Sequence, residues 1–101
     1  MRKALIVGID NYPSCPLSGC VNDATEMKSV LERNSDGSPN FSVKLMTSND
    51  LTITRSNLKQ EIESLFDGDP DIALLFFAGH GTVRSYGGHI VTTDFKKYDE
   101  G

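Results

Sequence analysis

His80 stands between Gly79 and Gly81 at the end of an apolar run, and this is the strongest chemical signal in the 101 residues. Glycines on both sides permit a sharp turn and leave the imidazole unshielded by neighbouring side chains. Such a histidine could serve as a general base, a metal ligand or a donor to phosphate, and a turn with an incidental histidine fits the spacing equally well. Cys20 could pair with it as a nucleophile, but its place at the start of an apolar helical face favours a small buried hydrophobe. Asp10, Asn22 and Asp23 could gather near the end of the first apolar run. Asp23 also has an adequate structural role as a helix cap, which a ligand-facing role does not exclude. His89 falls in a hairpin pattern and reads as a surface histidine. The run Val7-Gly8-Ile9-Asp10 lacks the later glycines of a dinucleotide fingerprint, and no Gly-Lys-Ser/Thr occurs. Nucleotide binding is therefore disfavoured.

Composition narrows the classes further. Ten Lys and Arg against 14 Asp and Glu give a net charge of −4, with 38% hydrophobic residues and no Trp. That is the profile of one small globular unit, which at this length buries roughly 60 to 65% of its unfolded surface. Basic residues are scattered, which argues against nucleic acid or an anionic membrane as partner. No apolar run approaches the ~20 residues of a membrane span, and Ala4 to Ile9 is too short for a secretory core. A cytoplasmic location is expected. Cys15 and Cys20 lack CxxC spacing and a nearby His, so neither a structural zinc site nor a disulfide framework is expected.

The elements that must position these residues follow from periodicity. Ala4 to Ile9 is a continuous, partly β-branched run that fits a strand buried on both faces. A first helix is expected from about Asp23 to Glu32. Asp23 and Glu26 form a capping-box pattern there, and Cys20, Ala24, Met27 and Leu31 recur at helical spacing. Asn34 to Asn40 is a loop, and Phe41 to Leu45 alternates as an edge strand does. A second helix, roughly Ser56 to Phe66, places Leu58, Ile62, Leu65 and Phe66 on one face before Gly68 and Pro70 stop it. Ile72 to Ala78 is an uninterrupted apolar strand. Val83 to Ile90, with Gly87-Gly88 in the middle, suggests a hairpin, and Phe95 to Gly101 is polar and loose. This β-α-β-α-β order implies an α/β fold with a parallel sheet and right-handed crossovers, and with the third strand on the opposite side of the first from the second the helices cover opposite faces and the strand order is 2-1-3. Sites in such sheets form at the carboxyl ends of strands, where Gly8 to Asn11 and Gly79 to Gly81 become neighbours. A receiver-like domain would need an acidic cluster and a mid-chain phosphorylatable Asp, and the second and third strands supply neither.

Three segments, Ala4 to Tyr12, Leu17 to Ala24 and Asp71 to Gly81, resemble in order and spacing the amino-terminal half of the caspase-like cysteine peptidases. The metacaspase and bacterial caspase-like branch is the nearest in pattern, while CHAT and separase-type peptidases also carry a His-Gly after a buried strand. The resemblance implies a three-layer α/β/α fold in which residues 1–101 form the large-subunit-like part. It implies that His80 is the base and acid of a Cys-His dyad cleaving peptide bonds, and that the Gly81 N–H helps hold the oxyanion. Asp23 matches an aspartate facing the pocket for an Arg or Lys at P1, and Leu17 stands where animal caspases place an Arg. Cys20 matches a cysteine that is not the main nucleophile. The family's nucleophile follows the next strand, in an Asp-x-Cys context beyond Gly101. The chain is therefore expected to be incomplete as a catalytic unit, partnered by a carboxy-terminal part carrying the Cys or by a self-dimer, with a peptide or protein as substrate. No cofactor is expected; calcium serves some metacaspases but cannot be placed on these residues. A non-catalytic scaffold or regulatory module binding a protein partner is the alternative.

Overall fold

The computed structural model describes residues 1–13, 15–84 and 87–94. In chain order these form β1 (Arg2–Gly8), α1 (Cys20–Glu32), β2 (Ser42–Thr47), α2 (Arg55–Phe66), β3 (Ile72–Ala78), β4 (Gly81–Arg84) and β5 (Gly87–Ile90). The first three strands make a parallel sheet in the order β2-β1-β3, as expected from the sequence, and β4 and β5 pair antiparallel.

Alternation along β1 divides the core in two. Leu5 and Val7 face α2, packing with Ile53, Leu58, Leu65, Tyr12 and Val91. Ala4 and Ile6 face α1, packing with Ala24, Met27 and Leu31. The helices thus cover opposite faces, which gives the three-layer arrangement. A side chain as fully buried as Leu5 or Ile6 contributes about 1.5–3 kcal/mol by leaving water. β2 is the edge strand anticipated from its alternation, with Ser42 and Lys44 outward, although it starts one residue later and runs on to the buried Met46 and Thr47.

α1 corrects the expected boundary. It begins at Cys20, three residues before Asp23, and Asp23 is not its cap. Gly19 holds the N-cap position with φ of 100°, and the cap comes from the preceding loop. There the Asp10 carboxylate accepts from the Cys20 N–H at 2.9 Å and the Val21 N–H at 3.2 Å. A cap supplied across the chain left the local Asp23–Glu26 pattern without that function; Asp23 instead adds negative charge to the first turn, where the helix dipole favours it. α2 is capped locally, because Thr54 and Asn57 exchange side-chain-to-backbone bonds at 3.1 and 2.8 Å. Phe66, expected on its buried face, is 62% exposed. It lies at the margin of the stripe formed by Leu58, Ile62 and Leu65, about 100° round the helix from Leu65.

The hairpin is present, but its glycines are not central: Gly87 and Gly88 open β5, and residues 85 and 86 lie outside the described residues. The expectation for Phe95 to Gly101 also lies outside them. Among the described residues β3 pairs only with β1, and Ile72 and Leu75 are 46% and 41% exposed. No described helix is long and apolar enough to cross a membrane.

Candidate active site

β1 and β3 run in register to their carboxyl ends, Gly8 opposite Ala78. The Ile9 N–H adds one more bond to the Ala78 carbonyl at 3.0 Å, so the segments after each strand leave the sheet side by side. The β1–α1 loop then folds back on itself. Its Asp10 carbonyl accepts from the Tyr12 and Leu17 N–H groups at 3.0 and 2.8 Å, and the Ser48 hydroxyl, beyond β2, accepts from the Asp10 N–H at 3.0 Å. This folding brings Cys15 over His80.

His80 Nε2 lies 2.7 Å from the Cys15 carbonyl oxygen. A carbonyl only accepts, so Nε2 carries the proton and Nδ1 of the neutral ring is left with its lone pair. The Tyr12 ring packs against the imidazole at a centroid distance of 4.5 Å and an interplanar angle of 58°. Below the ring, the His80 N–H donates to the Tyr12 hydroxyl at 3.0 Å, and that hydroxyl donates to the Val91 carbonyl at 2.7 Å. Burial pushes the phenol above its ordinary 10.0, with the His80 amide pulling the other way. Gly79 has no room for a side chain: a Cβ there would sit 2.6 Å from the Tyr12 hydroxyl.

Gly81 is exposed and opens β4 opposite Ile90. The Val91 N–H donates to the His80 carbonyl at 3.0 Å, which makes Gly81 and Ile90 the next, non-hydrogen-bonded pair of the ladder. The Gly81 N–H is thereby directed away from β5. Among the described residues a Cβ at Gly81 would meet only the His89 carbonyl, at an ordinary 3.6 Å, so their packing does not demand glycine there.

The remaining candidates do not converge on His80. Asp10 is occupied with the start of α1, Asn22 reaches Glu26 at 3.5 Å, and Asp23 is exposed in the first helical turn. Among the described residues no three metal-ligating side chains cluster. His89 is half-buried at the register position opposite Thr82, more enclosed than the surface position expected. Cys20 is half-buried rather than fully packed away. Burial, a bond to Asp10 and the charges of Asp10 and Asp23 together raise its thiol above the ordinary 9.0, which disfavours the thiolate a nucleophile needs. Exposed Cys15 should therefore react with iodoacetamide at pH 7.5 well before Cys20 in the folded chain. Peptide mapping that finds Cys20 labelled first would overturn this assignment.

Sequence reasoning missed two parts of the arrangement, Tyr12 and the main-chain carbonyl of Cys15. Tyr12 had a signal, a lone aromatic in a turn directly after the central strand. A carbonyl has none, since every residue carries one.

A search of curated proteins found no match. A family model for the caspase domain matches residues 1–99. With a parallel β2-β1-β3 sheet between two helices, and with that match covering nearly the whole sequence, the chain belongs to the caspase-domain family of cysteine peptidases.

Proposed function

We propose that this chain supplies the histidine half of a Cys-His endopeptidase site, with His80 as base and acid and Gly81 as an oxyanion donor. The observation that carries it is the fixed imidazole. With Nε2–H held on the Cys15 carbonyl at 2.7 Å, Nδ1 is the atom free to take a thiol proton. The imidazolium so formed keeps its bond to that carbonyl, which favours the charge. The thiolate attacks the scissile carbonyl, and the Gly81 N–H, turned away from β5, stabilises the developing oxyanion. His80 then returns its proton to the leaving amine, and water, deprotonated by the same ring, releases the acyl group.

Cys20 is unsuited to be the nucleophile for the reasons of burial and charge given above. In the caspase-like pattern the nucleophile follows the next strand, so it is assigned to a carboxy-terminal part whose preceding strand fits the edge of β3 left open among the described residues, or to a second copy joined across that edge. The 101 residues alone are expected to be inactive, and an Asp-x-Cys in the reading frame past Gly101 is the first thing to seek. The reaction needs no cofactor, and the compartment proposed is the cytoplasm. The metacaspase branch is favoured by the Gly19-Cys20-Val21-Asn22-Asp23 run.

Specificity is assigned to Asp23. Its exposed carboxylate at the start of α1, with Leu17 rather than a cation in the preceding loop, favours Arg or Lys at P1. Two fluorogenic peptides differing only at P1 test the whole reading with the complete protein. Cleavage after Arg at least about tenfold faster than after Asp is expected, roughly the worth of one paired charge. Faster cleavage after Asp would remove Asp23 from the pocket, and no cleavage of either peptide would refute the peptidase reading.

A further inference from the structure

We propose that Tyr12 is the positioning residue of His80, its hydroxyl standing in for a main-chain bond of the hairpin and so fixing the imidazole and the Gly81 N–H together. This rests on the reading of His80 as the base. Extending the β4–β5 register by one residue sets His80 opposite Val91. A hydrogen-bonded antiparallel pair normally exchanges two main-chain bonds. Here one is direct, from the Val91 N–H to the His80 carbonyl at 3.0 Å. The other is replaced by a relay, from the His80 N–H to the Tyr12 hydroxyl at 3.0 Å and from that hydroxyl to the Val91 carbonyl at 2.7 Å.

An oxygen inserted between donor and acceptor holds the two backbones farther apart on that side than a direct bond of about 2.9 Å would. The residue at the opened position is His80, whose ring is then met by the Tyr12 ring on one side and by the Cys15 carbonyl at Nε2. Packing alone does not account for the hydroxyl. Phenylalanine would fill the same core position, yet both polar partners of Tyr12 are main-chain groups of the residues that frame the opened pair. Gly79 points the same way, since the absence of its Cβ leaves the space in which that hydroxyl sits. Tyr12 and Cys15 also belong to one loop, so the loop grips His80 by its amide, its ring face and Nε2 at once.

The test combines ring-nitrogen NMR of the chain with kinetics of the complete enzyme. In the wild-type chain His80 should show a single tautomer protonated at Nε2. In Tyr12→Phe the ring nitrogens should shift toward a mixture of tautomers. Leu65→Ala, which loosens the same core at the opposite end of the sheet, should leave them unchanged and so separates positioning from general destabilisation. In the complete enzyme Tyr12→Phe should lower kcat about 10- to 100-fold, the scale of a small misplacement of a reacting group, with KM little changed. His80→Ala in the same series tests the base reading separately. If His80→Ala abolishes turnover while folded Tyr12→Phe keeps both the tautomer and kcat of the wild type, the positioning role is wrong and the base reading survives. If Tyr12→Phe does not fold, the wild-type spectrum still decides: a ring protonated at Nδ1, or a mixture, would overturn the proposal.

Discussion

His80→Ala in the complete peptidase is expected to lower peptide hydrolysis by about two orders of magnitude or more, the usual worth of a positioned acid and base. The fold should survive the change. The side chain is half-buried and its hydrogen bond to the Cys15 carbonyl contributes about 0.5–1.5 kcal/mol net. The main-chain bonds that hold the turn, from His80 N–H to Tyr12 and from Val91 N–H to the His80 carbonyl, do not need the imidazole. The loss should therefore appear in kcat rather than in the melting temperature. Titration of the nucleophile with a thiol-reactive peptide at neutral pH would slow in parallel, because without the base the thiolate population falls. A variant that turned over at the wild-type rate would remove His80 from the chemistry, whatever its geometry.

Much of this arrangement was legible before any coordinates, and the reasons are local. Ile72 to Ala78 could be delimited to the residue because an uninterrupted apolar run followed by Gly79 has few other solutions in a small α/β unit. The order β2-β1-β3 was expected only on the condition that the third strand lies across β1 from the second; the alternating Phe41 segment marks β2 as an edge, whereas the apolar composition of Ile72 to Ala78 is that of a central strand and does not by itself choose its place. The start of α1 was not legible. Asp23 and Glu26 present a sound local cap, yet the helix is capped by Asp10, ten residues before Cys20, and no periodicity carries information across a loop of that length. Tyr12 escaped notice as a site residue for a related reason. Its partners, His80 and Val91, are 68 and 79 positions away, and only the parallel register of β1 with β3 brings them together. His80 was readable as a candidate from its type and its flanking glycines, whereas the main-chain groups that hold it became visible only with the fold.

Gly8 is where the two halves of that geometry meet, and its substitution should cost more stability than any other single glycine change near the site. A Cβ at Gly8 would fall 2.7 Å from the Cys20 carbonyl oxygen, 2.8 Å from the Ala24 Cβ and 3.1 Å from the Val21 Cα. Two of those three atoms are main chain, so no rotamer change relieves the clash; the first turn of α1 must move off β1. Overpacking of this kind costs about 1–3 kcal/mol for one methyl group and more where backbone has to shift. Against a stability of about 5–15 kcal/mol for a domain of ordinary robustness, Gly8→Val should leave little of the folded state. Gly8→Ala should retain the fold with a denaturation midpoint clearly below that of the wild type. Displacing α1 also pulls on Asp10, whose carboxylate holds the Cys20 and Val21 N–H groups, and through its carbonyl on the loop that carries Cys15. The imidazole anchor should loosen with it, so the NMR signature of Nε2 protonation should weaken in Gly8→Ala even where the chain stays folded. Gly81→Ala supplies the contrast. Its added Cβ meets nothing closer than 3.6 Å among the described residues, and its stability should stay within about 0.5 kcal/mol of the wild type. Urea titrations of the two alanine variants decide the matter: equal midpoints would mean that α1 does not press on β1 at Gly8, and that the loop holding His80 is set by something other than this contact.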